Sequence, residues 1–342
     1  MSRVYVGMSG GVDSSLTAAL LQEQGHDVTG VYMKNWTEDL PGMRCPWADD
    51  LADAKRVAVQ LGIPFKVYDF ENEYKHKVVD YMIAAYQAGR TPNPDIMCNQ
   101  EVKFKLFLET ALGDGTDMIA TGHYAKTKGG KLYRAIDDNK DQTYFLYRVT
   151  HAALEKTLFP LGEYKKPHVR ELAAERGLLT AGKRDSQGIC FVGSVGIKDF
   201  LSQYITTEPG VIVDKDSDKE VGEHDGAIYY TLGQRHGLNL GGGLPYYVVG
   251  KDMVKNIVYV SRNLNDESMW RKEVVLSDIH WIDEVPQDGA QVQVRLRHRG
   301  ALLPASLHGE TLRLEQPERA IAAGQSAVIY REDVCLGGGI IA

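Results

Sequence analysis

The stretch Gly7-Met8-Ser9-Gly10-Gly11-Val12-Asp13-Ser14-Ser15 constrains this chain more than any other. It joins a short apolar run, Arg3 to Met8, to a run of helical character from Ser15 to Gln24. The expected local structure is strand, turn, helix. Glycines let a backbone approach an oxyanion closely and aim successive N–H groups at it, and the helix start that follows adds the positive end of its dipole. Phosphate is the anion such a turn suits best. No Lys follows Gly10-Gly11, which excludes the G-x-x-x-x-G-K-[ST] loop, and the third glycine of the dinucleotide fingerprint is missing. A glycine turn that merely closes a βα unit is the alternative.

From residue 1 to about 190, short β-rich runs alternate with longer helical ones, the pattern of a parallel sheet with helices on both faces. Strands are expected at Asp27 to Met33, Phe65 to Phe70 and Asp117 to Thr121. Asp49 or Asp50 is expected to cap a helix with an apolar face of Leu51, Ala54, Val57, Ala58 and Leu61, stopped by Gly62. Gly89 to Asn99 carries two prolines and reads as an irregular loop, and a hairpin is expected within 131–148. Ligands of open α/β sheets sit beyond the carboxyl ends of the strands. Ser9 to Ser14, Met33 and Gly122-His123 should therefore face one cleft.

Beyond about residue 196 the segments become short and β-like, among them Gly210 to Asp214, Ala227 to Thr231, Ile257 to Ser261, Gln291 to Arg297 and Cys335 to Ile341. The expected division is 1–195, an α/β nucleotide domain; 196–268, a small β-rich domain; and 269–342, a C-terminal β-barrel. Two or three domains suit 342 residues. No apolar stretch is long enough to span a bilayer and no secretory signal precedes the first strand, so the expected location is the cytoplasm, away from membranes. A net charge of −7 excludes a protein that coats nucleic acid by bulk electrostatics but leaves room for a local basic groove.

The four cysteines, Cys45, Cys98, Cys190 and Cys335, form no C-x-x-C pair and suggest neither a zinc site nor a disulfide framework. Cys98 and Cys190 each read as lying in a polar loop at the edge of the nucleotide domain. Lys103 near the first, and Lys183 and Arg184 before the second, would favour thiolates. Asp95 would oppose the Cys98 thiolate, so its better role is proton transfer or orientation of a substrate group. Cys335 reads as a core or strand residue. Cys45 lies in a loop that could move over the cleft, with a redox role left open. A strand through Arg295-Leu296-Arg297-His298-Arg299 would place its three arginines on one face as a phosphate track, and a solvated arginine edge is the alternative.

The first stretch resembles the SGGxDS signature of the pyrophosphate-loop ATPases, which leave the α-phosphorus of ATP open to attack. Together with Asn93-Pro94-Asp95-Ile96-Met97-Cys98-Asn99, Thr121-Gly122-His123-Tyr124, Lys140-Asp141-Gln142 and Asp185-Ser186-Gln187-Gly188-Ile189-Cys190-Phe191, the whole chain resembles the tRNA-specific 2-thiouridylases. That resemblance implies ATP-dependent adenylation of the C2 oxygen of the wobble uridine in tRNAs for Lys, Glu and Gln, with Mg²⁺ accompanying the pyrophosphate, followed by sulfur transfer. It implies ATP contacts from Gly7, Met8, Ser9, Gly10, Gly11, Val12, Asp13 and Ser14, with Met33 and Gly122 at the adenosine. By the same resemblance Cys190 carries a persulfide, and Cys98 is the partner thiol that could close a disulfide with it. Asp95 is the candidate acid or base. Asn93, Pro94 and Asp95 touch the target base, and His123, Lys140, Asp141, Gln142, Arg297, His298 and Gln325 touch tRNA. A persulfide-donating sulfur carrier or cysteine desulfurase would be the other partner. For His123 a satisfied strand-end histidine remains the alternative, and for Lys140 to Gln142 an ordinary polar turn. The rival functions are another pyrophosphate-loop ligase, GMP synthetase-like or argininosuccinate synthetase-like, and a non-catalytic RNA-binding module; the intact Ser9, Gly10, Gly11, Asp13 and Ser14 speak against the last.

Overall fold

The alternation of side chains along β1 (Arg3–Gly7) sets the layering of the N-terminal half. Val4 and Val6 cluster with Ala18 and Leu21 of α1 (Val12–Glu23) and with Ala54 and Val57 of α2 (Trp47–Leu61). Tyr5 belongs instead to the cluster that holds Tyr74, Val78, Val102 and Phe107, from helical segments on the other face. The computed structural model describes residues 1–39, 45–185, 196–241, 244–263 and 266–342. With β2 (Asp27–Lys34), β3 (Phe65–Asp69), β4 (Met118–Thr121) and a short strand at Thr157–Leu158, β1 forms a parallel sheet. Its order is β3-β2-β1-β4 and then the short strand, so the winding reverses between β1 and β4.

Two expected elements around α2 and Cys98 differ. Pro46, not Asp49 or Asp50, is the N-cap of α2; both acids sit in its first turn, where they complement the helix dipole. The stretch around Cys98 is not an irregular loop: Pro94 opens a helix, Pro94–Met97, which continues as a wide π-helical segment, Cys98–Leu106, and then as Phe107–Gly113. Proline is tolerated at the first helical position, where its missing N–H would have had no partner. Cys98 is consequently buried, together with Ile96, Val102 and Phe104.

The second half is β-rich. Gly210–Asp214, Lys219–His224, Tyr247–Asp252 and Ile257–Ser261 form a four-stranded sheet. The expected strand at Ala227 to Thr231 is a 3-10 turn, Ala227–Tyr229, because this apolar run is buried without alternation, a pattern that does not separate a strand from a buried turn. The last domain closes as a six-stranded barrel: Trp270–Trp281 pairs with both Thr311–Arg319 and Val334–Ile341, and the circuit runs on through Leu303–His308, Gln291–Arg295 and Ser326–Arg331. Val292, Val294, Leu307, Leu312, Leu314 and Ile329 fill it.

The expected hairpin lies earlier than the residues that predict it, at Ala125–Lys128 and Lys131–Arg134, and it leaves the N-terminal sheet altogether. Its second strand pairs with Val334 and Cys335 of the barrel. Downstream of those two residues the same barrel strand turns to pair with Trp270–Trp281, where Gly337, Gly338 and Gly339 allow backbones to pass that a Cβ would block.

A polar interface seals this junction. Arg295 donates to Asp141 at 2.8 Å, the two side chains being 6% and 0% exposed. Asp141 also accepts from Thr143 Oγ1 and the Ala135 N–H; Thr143 reaches Tyr330, and Tyr144 and Tyr147 reach Ser326. The expected arginine track is thereby corrected. The strand ends at Arg295, which points inward to neutralise Asp141, and the chain then turns, with Gly300 N–H donating to the Arg297 carbonyl and Arg299 at a φ of 60°. Removing one partner of a buried pair strands the other charge, whereas removing both does not. Arg295→Leu alone should therefore cost about 3–5 kcal/mol in urea unfolding, and Asp141→Leu combined with it should recover much of that loss.

Candidate functional site

The turn after β1 is built by its own serines and glycines. Gly10 has a φ of 74°, and a Cβ there would run into the Asp50 carbonyl at the start of α2. Ser14 Oγ accepts the Ser9 N–H at 3.2 Å and donates to the Gly11 carbonyl at 3.1 Å, to which Ser15 Oγ also donates at 2.8 Å. Gly11, the N-cap of α1, provides no side-chain cap. The first N–H groups of a helix buried along most of its length are thus left for an incoming acceptor.

The exit of β4 closes in from the other side of the sheet reversal. A Cβ on Gly122 would lie 2.8 Å from the backbone of both Asp13 and Ser14. Met33, at the end of β2, comes close enough that its methyl would meet a Cβ on Gly7 at 2.9 Å. Gly7 to Ser14, Met33 and Gly122 therefore lie together at the carboxyl ends of neighbouring strands. The residues present fit a nucleotide phosphate: the cradle is made of backbone donors, and a side chain would fill the approach at Gly122.

Around this loop runs a chain of charges. Lys166 Nζ lies 2.7 and 2.8 Å from the two carboxylate oxygens of Asp13 and 2.8 Å from Asp185. Tyr124 OH donates to Asp13 at 2.9 Å. Burial, reinforced by the Asp13 charge, raises the Tyr124 pKa and keeps that hydroxyl a donor. Lys140 and Arg170 each reach Asp185 at 2.6 Å, and Lys183 bridges Asp50 and Asp53. Burial pushes the Asp185 carboxyl up, but hydrogen bonds from Lys140 and Lys166 and their charges outweigh it and hold it at about 2.

The other expected contacts fall in different settings. Gln142 Oε1 accepts the Tyr124 N–H, and Lys140 reaches Asp185, so each touches a residue of the charge chain around Asp13. Asp141 is consumed by the barrel interface described above and is not available on the surface. His123 is buried, with Nδ1 2.7 Å from Thr121 Oγ1 and its ring 5.5 Å from that of Phe104 and 6.1 Å from that of Phe159. Burial lowers its pKa well below the usual histidine value. That is the satisfied strand-end histidine of the alternative reading. His298 packs against Phe145 with ring centroids 4.4 Å apart and planes tilted by 42°, and burial, helped by Arg299 and Arg295, lowers its pKa to about 4. Arg297 is exposed on the barrel and paired with Glu318.

Gln325 holds the segment that carries Asn93, Pro94 and Asp95. Its amide donates to the Thr91 carbonyl at 2.8 Å, the Thr91 N–H donates to Ala323, and Thr91 Oγ1 meets Thr231 Oγ1 at 3.0 Å. All three sequence domains meet at Thr91. Cys98 sits one helical turn past Asp95, buried rather than in a polar loop. Cys45 is buried too, its Sγ donating to the Trp36 carbonyl at 3.6 Å, and burial pushes its thiol pKa up. Cys190, with the rest of Ser186 to Phe191 and any disulfide to Cys98, lies outside the described residues. Among the described residues no group of three or more His, Cys, Asp or Glu is placed to hold a metal ion.

Lys166 and Arg170 stand outside every motif that sequence reasoning singled out, and Tyr124 enters it only as the last residue of Thr121-Gly122-His123-Tyr124, with no role of its own. The available signal was the spacing of Lys166 and Arg170, four apart at the start of a helix whose Pro167 is legible as its opening. Asp185 also yields a pH prediction. A carboxylate held below its ordinary value adds stability that is complete above that value and lost as pH falls toward the folded value. The melting temperature of Asp185→Asn should lie below wild type at about pH 6, and the gap should close progressively between about pH 4 and pH 2.

Comparison with known proteins gives the same picture along the whole length. Residues 2–194 match the family model described as tRNA methyl transferase HUP domain, 198–262 the tRNA methyl transferase PRC-barrel domain, and 271–341 the aminomethyltransferase beta-barrel domain. The tRNA-specific 2-thiouridylase MnmA of Bacillus cytotoxicus is 46% identical over 351 aligned residues, covering 99% of this chain and 94% of that protein. MnmA 2 of Geobacillus kaustophilus is 47% identical over 352, with the same coverage. Among solved structures, a 4-thiouridine synthetase in complex with RNA and ATP shares 16% identity over 59% of this chain and 50% of that one, at a TM-score of 0.40, too low to bear on the fold.

Proposed function

Because the chain belongs to the tRNA-specific 2-thiouridylases, we propose that it is an ATP-dependent tRNA-uridine 2-sulfurtransferase acting on the wobble uridine of tRNAs for Lys, Glu and Gln. The observation that carries this reading is the backbone cradle from Ser9 to Ser14, set at the sheet reversal with Gly122 against it. The cradle would grip the pyrophosphate part of ATP and leave the α-phosphorus facing the uridine. Attack by the C2 oxygen forms an O–P bond, releases pyrophosphate and turns that oxygen into part of a good leaving group. Magnesium would be held chiefly by phosphate oxygens, with Asp13 the carboxylate on the loop itself, and the charge of the ion would ease departure of pyrophosphate.

Sulfur then enters. The outer sulfur of a Cys190 persulfide attacks carbon 2 and AMP leaves with the oxygen. The Cys98 thiolate attacks the inner sulfur, the sulfur–sulfur bond breaks toward the base, and the electron pair stays on the 2-thiouridine. A Cys98–Cys190 disulfide results and must be reduced by an external thiol before the next turnover. Asp95, one helical turn before Cys98, serves as acid or base at the activated base, with Asn93 and Pro94 flanking it. A sulfur carrier or cysteine desulfurase recharges Cys190. On this reading residues 1–195 form the adenylating unit, 196–268 the link, and 269–342 the barrel that helps hold tRNA, with Lys140, Gln142, Arg297, His298 and Gln325 along the path and His123 and Asp141 reached only if the surface over them opens.

Cys190→Ser separates the two half-reactions. 2-Thiouridine should vanish from the tRNA, measured by nucleoside mass spectrometry, while tRNA binding and tRNA-dependent pyrophosphate release persist. Thiolation at the wild-type rate by that variant would remove the persulfide from the scheme.

A further inference from the structure

The N-terminal α/β unit, the four-stranded sheet and the barrel do not close completely on one another. Where they meet lies a cavity of about 270 Å³, lined by Thr91 of the first, Lys251 of the second, and Arg271 with the segment 320–323 of the third. None of its lining residues belongs to the loop from Gly7 to Ser14 or to the chain of charges around it. The walls are held by close packing. A Cβ on Gly233 would lie 2.7 Å from the Cβ of Ala320, and one on Gly89 would lie 2.8 Å from Met253. The cavity is therefore formed before any ligand arrives.

Lys251 sets its chemistry. The strand Tyr247–Asp252 forms the edge of its sheet and bulges between Val248 and Gly250, just before this residue. Bulges at sheet edges commonly re-aim a side chain. The Lys251 ammonium donates to the Tyr230 carbonyl at 3.0 Å and forms no ion pair among the described residues. Burial lowers its pKa to about 8, with no carboxylate to offset the effect. A half-buried cation answered only by a carbonyl is costly, and the lining adds a second cation, Arg271, and no acid. We propose that this junction cavity binds a phosphate group, with the Lys251 ammonium as its principal donor and the Arg271 guanidinium as its second. A phosphate has enough oxygens to serve a compact ammonium and a planar guanidinium together, which suits this pair better than a carboxylate would. The phosphate can come from two sources, a small free phosphate or phosphate ester and the backbone of an RNA. Either way it would bridge the four-stranded sheet and the barrel beside Thr91, and the proposal stands independently of the reading given to the loop after β1.

Acetylation of the full-length protein, followed lysine by lysine with peptide mass spectrometry, tests this. Only neutral amine reacts, and a bound phosphate favours the ammonium. Inorganic phosphate, ribose 5-phosphate or tRNA, each compared with potassium chloride at equal ionic strength, should therefore slow acetylation of Lys251 at about pH 8 by about tenfold or more. In Arg271→Gln the ligand concentration that gives half of this protection should rise about tenfold; should that variant not fold, Arg271→Met takes its place. Equal protection by the two small ligands identifies inorganic phosphate, tighter protection by ribose 5-phosphate identifies a small ester, and protection by tRNA alone identifies the RNA backbone. Lys251 reactivity that no ligand slows beyond the chloride control would overturn the proposal. So would protection that is unchanged without the Arg271 guanidinium, since Lys251 would then be merely covered, or the phosphate held elsewhere.

Discussion

Everything at the site depends on two stretches of backbone lying against each other. Gly122 leaves β4 in contact with the main chain of Asp13 and Ser14, and no residue with a side chain could take its place without prising β4 away from α1. The contact arises because β1 and β4 are neighbours at the reversal of strand order, where two loops must leave the sheet in opposite directions and open a crevice. Tyr124 and Gln142 extend it: the first reaches back to Asp13, and the second holds the first by its N–H. Main chain from the two strand exits is thus packed together here, with polar side chains at the margin.

The charge pattern at that margin reconciles an acidic protein with an anionic substrate. Lys140, Lys166, Arg170 and Lys183 face Asp13, Asp50, Asp53 and Asp185 in a cluster whose signs cancel. Such a cluster contributes little to long-range steering, because each charge is answered within a few ångströms, and it leaves its cations ordered and partly desolvated. At Thr91 the two β-rich domains hold the segment leading to Asp95, so the barrel and the helix that begins at Pro94 share one frame.

How much of this could be read beforehand divides by sequence distance. The strands and helices of the N-terminal sheet, the cradle, and the grouping of Met33 and Gly122 with it are legible because each depends on local pattern and one topological rule. Asp141 and Arg295 looked like surface groups because each is polar and the partner that buries it lies 154 residues away. Lys166 escaped notice for the same reason, being 153 residues from Asp13. The helix at Pro94 was missed because proline both breaks and begins helices, and only the packing of Ile96 and Cys98 distinguishes the two.

The hairpin that crosses from the first domain to the barrel has a consequence for biosynthesis. Tyr133 leaves the ribosome about 200 residues before its partner Val334. At roughly 5–20 residues per second that is a delay of about 10–40 s. During it the strand Lys131–Arg134 offers an unpaired edge to any nascent chain nearby. Lys131 at its start makes that edge a poorer template for such pairing, and the strand Val334–Ile341 is the one that finally covers it.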